Sequence, residues 1–403
     1  MRTALAIAAL LLAGCTARAP ERTVDDPGAH GRATPPPGEA LSPVREPPGP
    51  CLPGSEGATS RELARAAALH REGGRPEAAL ACAEEALEAD PRDRVPLRER
   101  ALALATLDRD ADARAALSRL LAADPDDPAT LLVAADLHVN HFGDRDSLEA
   151  GLDLALRGAA RAVSGPRADP SLAPRLLVLA GMAENDLGHS RQALLHLEEA
   201  VARNPRDVDA QYERGVALFE LCRFASARRA FERVLRQAPR DAWALHHLGL
   251  LAERAGDERR ARELLGRAAR MAPRDLRPPV ELSRSAFEAE LRRALAELPG
   301  SERAALAGVP VEVEEIPAYA DLTAVEPPLS PSILGLFRGP SLGEPCPDGE
   351  APACRSIVLY RRNLLRFARD RAQLSVQVRV TLMHELGHLH GESDEGLRAR
   401  GLE

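Results

Sequence analysis

The sequence has no lysine, so its 53 basic side chains are all arginine, set against 61 acidic residues for a formal net charge of -8. A mildly acidic chain with no basic run and few rings to stack on bases lacks the electrostatic footprint of a nucleic-acid binder, and that class is excluded. Aromatic residues make up only 3% of the chain. Cores must therefore be filled by Ala and Leu, which suits helices packed on helices, and the length allows two or three domains. Long apolar runs are missing too. The stretch Ala4–Ala13 falls well short of the roughly 20 residues needed to span a bilayer, which argues against a transmembrane anchor.

What the N-terminus does contain is MRTALAIAALLLAGC: a positive Arg2, an apolar stretch, then Leu12-Ala13-Gly14-Cys15 as a small-residue cleavage site. This resembles a bacterial lipoprotein signal, with 1–15 as signal peptide and lipobox. The resemblance implies that Cys15 becomes a lipid-modified N-terminus carrying several acyl chains, a lasting membrane attachment at about 0.8 kcal/mol per buried CH2. Thr16 stands where an aspartate would retain such a protein at an inner membrane, so the expected address is the outer membrane, facing the periplasm. Residues 16–58, with ten prolines, cannot form a core and read as a disordered tether reaching roughly 35–40 Å.

Export places the other cysteines in an oxidising compartment. Cys51, Cys82, Cys222, Cys346 and Cys354 are five, so at least one stays unpaired. Cys346 and Cys354 bracket a short Pro- and Gly-bearing loop and are the expected disulfide. Zinc is the rival for that pair, though seven intervening residues is not a usual ligand spacing. Cys222, inside ALFELCRFA, reads as a buried small hydrophobe.

Over 59–276 a period appears. Prolines 91 and 125, then 205, 239 and 273, lie 34 apart. Small or apolar residues recur at fixed distances before them, among them Ala67 and Ala79, Ala101 and Ala113, Gly215 and Ala227, Gly249 and Ala261. Small residues there let two antiparallel helices approach, and the proline ends each pair. The pattern resembles the tetratricopeptide repeat, with five regular repeats and one irregular one carrying an insertion near His141–Ser147. Such a solenoid is expected to hold a protein or peptide ligand in its groove, and nothing in it is catalytic.

After Pro273 the period stops. Ser285 and Glu288 are expected to form a capping box, with Phe287, Leu291, Ala294, Leu295 and Leu298 on one helical face. VPVEVEEI, ILGLF and SIVLY read as short strands. RRNLLRFARDRAQLSVQVRVTLMHELGHLH reads as one long helical stretch. Its VQVRVTL alternates as a strand would, but Val376, Val380, Met383 and Gly387 also fit helical spacing.

The chain then reads HELGHLHGESD. Residues four apart on a helix share a face, so His384 and His388 can share one metal ion with Glu385 beside it. Zinc in such a site lowers the pKa of a water toward roughly 7 while the glutamate takes the proton. Gly387 is expected to let a substrate backbone approach, and Gly391 to turn the chain back. Asp394, six residues past His388, completes H-E-x-x-H-x-x-G-x-x-D. Glu392 and Glu395 are the rival third ligands, and His390 points away.

Residues 281–403, about 30% of the chain, resemble small bacterial zinc metallopeptidases with a minimal zincin fold. The segments FEAELRRALAELP, VPVEVEEIP, LGLFRG, IVLYRRNL and RVTLMHELGHLHGESDEGLRARGL carry the resemblance. It implies Zn2+ bound by His384, His388 and Asp394, with Glu385 as base. Full metzincins add a methionine turn beyond the third ligand, and the nine residues after Asp394 are too few for one. Tyr360 and His390 are the only candidates for a further transition-state donor. The expectation is thus a mainly α chain, a tetratricopeptide-repeat solenoid followed by a small α+β zincin-like domain, acting as a lipid-anchored zinc peptidase. The alternative is a repeat scaffold whose terminal domain is non-catalytic or structural. A third class, a lipid-anchored assembly factor binding no metal, would require the triad to be accidental.

Overall fold

The computed structural model describes residues 8–9, 51, 58–346 and 354–402. Apart from Ala8–Ala9, Cys51 and Ala58, the expected signal peptide, lipobox Cys15 and tether lie outside the described residues.

Helices follow one another in pairs: α1 Ser60–Glu72 and α2 Pro76–Ala89, α3 Arg94–Thr106 and α4 Asp110–Ala123, then α5 Pro128–Asp136 and α6 Arg145–Ser164. The series continues with α7 Ala173–Asp186 and α8 Ser190–Arg203, α9 Val208–Glu220 and α10 Phe224–Gln237, α11 Ala242–Arg254 and α12 Glu258–Met271. Asp93, Asp127, Asp207 and Asp241 cap first helices by accepting from backbone N–H groups, satisfying donors that a helix start leaves open. The irregular repeat departs where expected. A π-helical turn, Leu137–Phe142, ends at left-handed Gly143, and α6 runs for 20 residues.

Ala67, Ala79, Ala101, Ala113 and Ala227 are all fully buried. A β-carbon on Gly215 would sit 2.6 Å from the Phe231 ring, and one on Gly249 2.7 Å from Leu265. The periodic small residues therefore mark close helix approach.

The described residues fall into two compact units. One runs from Cys51 to Glu184 and includes Glu199–Asn204, and the other holds Ala8–Ala9, Asn185–Glu198 and everything from Pro205. The division thus runs inside the repeats, not at the change of pattern after 276.

Within the second unit, α13 Arg284–Glu297 and α14 Gly300–Ala305 precede β2 Val311–Glu314, α15 Tyr319–Leu322, β3 Gly335–Arg338 and β4 Ser356–Tyr360. β2 pairs parallel with β4, β4 antiparallel with β3, and the two-residue β1, Ala8–Ala9, antiparallel with β3. Helices α16 Arg361–Phe367, α17 Arg371–Leu389 and α18 Asp394–Ala399 follow. Phe287, Leu291, Phe337, Ile357, Leu374 and Leu382 share one core between α13, α17 and a face of the sheet.

Three expectations change. The long helix is broken at 368–370, where Asp370 accepts from the Gln373 N–H at 2.8 Å and starts α17. The cap of α13 is Ser283, which accepts from the Ala286 N–H, while Glu288 pairs with Arg284. Val376 is exposed, because the buried face of α17 runs through Leu374, Val378, Thr381 and Leu382. Cys346–Cys354 is a disulfide as expected, Cys51–Cys82 is a second, and Cys222 is free and buried.

Candidate metal centre

The last two turns of α17 carry His384, Glu385 and His388, each less than 5% exposed. Gly391, at φ 86°, reverses the chain, and Ser393 caps α18 so that Asp394 begins it. Asp394 Oδ1 lies 3.4 Å from His384 Nε2 and 3.2 Å from His388 Nε2. The two Nε2 atoms are 2.9 Å apart. Among the described residues this trio is the only metal-competent cluster, with its ligand atoms all within 4.8 Å of one another.

Backbone carbonyls fix the rings. His384 Nδ1 faces the Leu402 carbonyl at 2.5 Å, and His388 Nδ1 faces the Glu392 carbonyl at 3.0 Å. A carbonyl only accepts, so each Nδ1 carries the proton and each Nε2 turns a lone pair inward. Two lone pairs and a carboxylate oxygen converging on one point are satisfied by a cation, so these residues fit a zinc ion. Burial works to raise the Asp394 carboxyl, and it is held below the ordinary carboxylate range only when an Nε2 proton of His384 or His388 faces it, the place a cation takes when the Nε2 lone pairs point inward. Glu385 is the opposite case. Burial pushes its carboxyl well above the ordinary value, the Phe337 backbone N–H only partly offsets this, and the Asp394 charge adds to it. Neither Glu385 oxygen makes a hydrogen bond of normal geometry.

Two glycines explain the crowding. A β-carbon on Gly387 would meet Leu397 at 2.2 Å, so this glycine makes room for α18 and not for a substrate. On Gly335 a β-carbon would meet Thr381 at 2.7 Å and Glu385 Oε1 at 2.8 Å, which brings β3 directly over the glutamate.

The other candidates lie elsewhere. Tyr360 is buried with Leu322, Leu336 and Val358, on the sheet face turned from α17. His390 pairs with Glu302 at 3.0 Å, and Glu392 with Arg400. Neither Tyr360 nor His390 reaches the centre, and Glu392 and Glu395 stand outside the cluster. Sequence reasoning missed Leu402, Leu397 and Gly335. A backbone carbonyl leaves no trace in residue type, while LGLF and GLRARGL gave only a glycine in a strand and a short apolar pattern.

The tetratricopeptide-repeat family matches residues 64–128, 178–242 and 220–276, and a family described as zincin-like metallopeptidase matches 306–402. No curated protein matches the chain. Among solved structures, PilW, a widely conserved type IV pilus biogenesis factor, is 17% identical with a TM-score of 0.46 over 57% of this chain and 97% of its own. The Pseudomonas aeruginosa protein pilF gives the same figures. YrrB, a TPR protein with an unusual peptide-binding site, is 20% identical with a TM-score of 0.36 over 47% of this chain and 92% of its own. The chain thus carries tetratricopeptide repeats within 64–276, followed by a zincin-like metallopeptidase domain over 306–402.

Proposed function

We propose that the chain is a zinc-dependent peptidase of the bacterial cell envelope whose repeats bind a substrate or partner protein. The observation that carries this reading is the convergence of His384 Nε2, His388 Nε2 and Asp394 Oδ1 within 4.8 Å, with a buried, unbonded carboxylate one residue after the first histidine. A structural zinc site normally takes four protein ligands, whereas three leave a position for the reaction. The ion, when bound, supplies Lewis-acid polarisation of a scissile carbonyl and acidifies a water. Glu385 accepts the proton of the attacking water and passes it to the departing amine. Burial suits that task, because a carboxylate lifted above its ordinary range is a stronger base.

The complete burial of Glu385 is also what favours the second reading, a repeat scaffold whose zincin-like domain is non-catalytic. Zinc content and hydrolysis of an unfolded protein substrate, measured on the full chain and on Glu385→Gln, separate the two. Zinc in both with hydrolysis by wild type alone is expected. Zinc in both with hydrolysis by neither leaves the scaffold.

The Leu-Ala-Gly-Cys sequence supports lipid attachment at Cys15, at an outer membrane and facing the periplasm. Wild type should then sediment with membranes until detergent is added, while Cys15→Ala should accumulate as unprocessed precursor. Processing and release of that variant would count against the anchor.

A further inference from the structure

The turn joining the two helices of each regular repeat holds one residue in the left-handed region. Gly74, Asp108, Gly188, Cys222 and Gly256 have φ of 69°, 54°, 81°, 55° and 77°. A β-carbon is disfavoured there, so glycine is the ordinary choice, and aspartate is tolerated through its local hydrogen bonding. Cysteine has neither advantage. Its side chain is what this position uses: Cys222 is buried against Leu322, Leu329 and Ile333, and its thiol donates to the Leu329 carbonyl at 3.7 Å.

The segment that covers Cys222 touches three successive repeats of its unit. Arg254, ending α11, donates to the Pro317 carbonyl at 2.9 Å. Phe224, starting α10, meets the Tyr319 ring edge-on at 6.1 Å between centroids. Arg191, in α8, pairs with Glu326. From Pro317 to Glu326 the segment therefore passes the repeats in reverse chain order, along the edge where paired helices turn. A second hold lies beside it. Glu253, 8% exposed, accepts from Arg362 at 2.7 Å and from Arg366, and Glu258 accepts from Arg362 at 2.9 Å. A carboxylate so buried is costly without its cations.

We infer that the repeats of this unit are a built-in holder for the C-terminal domain, with segment 316–333 as the resident ligand of their turn edge, closing that edge to foreign partners. The segment runs directly into β3, so the holder also seats the strand that lies over Glu385. Recognition of other proteins falls to the remaining repeat surfaces.

Cys222 is the free thiol among the described cysteines and serves as reporter. Burial pushes its thiol up to about 11, so labelling requires opening. In the full chain, maleimide labelling read at Cys222 by mass spectrometry should be about 100-fold slower than in denaturant. Leu329→Asp should raise the native rate at least about 10-fold with helix content retained, and Val376→Asp, at an exposed site on α17, should not. Equal native and denatured rates in wild type, or a folded Leu329→Asp with Cys222 still protected, would overturn the holder. Should Leu329→Asp unfold, Glu253→Gln is the milder arm. It should speed labelling about 3- to 10-fold and open chymotryptic cleavage at Tyr319 or Leu322, and no change in either overturns the inference.

Discussion

The repeats and the zincin-like domain face the same task, excluding water between helices with few aromatic side chains, and they do it in opposite ways. In the repeats the solution is copied. Ala79, Ala113, Ala193, Ala227 and Ala261 fill one place in five repeats, and all are at most 2% exposed. In the C-terminal domain each close contact occurs once: Gly387 receives Leu397, Gly335 passes over Glu385, and the Leu402 carbonyl meets His384. Fragility is therefore concentrated in the C-terminal domain. A repeated contact shares its burden with neighbouring copies, whereas a single-use contact has no substitute.

The largest expected effect falls on the most singular residue. Glu385→Gln should retain about one zinc per chain yet lose about 10²- to 10⁴-fold in turnover, read by metal analysis beside a proteolysis assay. His384→Ala and Asp394→Ala should lose metal and turnover together. A Glu385→Gln chain that cannot hold zinc would make that residue a ligand and collapse the distinction.

Next in size is the contact beneath the site. Leu397 is fully buried and meets α17 at Gly387, so Leu397→Ala should cost about 2–5 kcal/mol and weaken zinc about 10- to 100-fold in a chelator competition. Unchanged zinc affinity would separate packing from the metal centre.

The copied contacts should yield less. Ala227→Leu or Gly249→Leu should overpack one helix pair for about 1–3 kcal/mol, visible as a lowered denaturation midpoint with zinc content intact. Loss of zinc in either variant would mean that the two regions are not so differently built.

The smallest effect is acid sensitivity in the repeats. Burial lowers His247 to about 4 and His246 to about 3, so both stay neutral in the folded chain. Unfolded histidines take up protons below about 6.5, so stability is full above that pH and is lost as pH falls toward 4. Glu220, raised to about 7 by burial, acts the other way, withdrawing stability as pH rises from about 4.5 to 7. Two histidines against one carboxyl leave a net loss between about pH 6.5 and 4, kept small because all three side chains retain some solvent exposure. His247→Gln should flatten the thermal-melting profile across that window.

How much was legible follows from the same contrast. The 34-residue spacing exposes the repeats because five copies average out local exceptions, and the irregular repeat shows as a wrong interval although its π-helical turn leaves no pattern of its own. The clustering of His384, His388 and Asp394 was legible because residues four apart share a helical face and Gly391 turns the chain back toward it. The break at 368–370 was not, since Asp370 also fits a helix interior until its side chain is seen capping Gln373. Spacing predicts room at Gly387 for a substrate, but Leu397 fills it, because spacing reveals that room is needed and not what occupies it. The Cys51–Cys82 pair joins residues 31 apart, and no local pattern pairs them.

The carbonyl of Leu402 on His384 sets a clock. A chain emerges from its N-terminus onward, and its domains fold in that order. Every repeat helix can form before the histidines appear, yet the ring of His384 is not locked in its working tautomer until residue 402 has arrived. Partly made chains would therefore carry finished repeats and an unfinished C-terminal centre. In the peptidase proposed above, hydrolysis would begin only after the last of these contacts is made, which would shield the chain and its neighbours during manufacture.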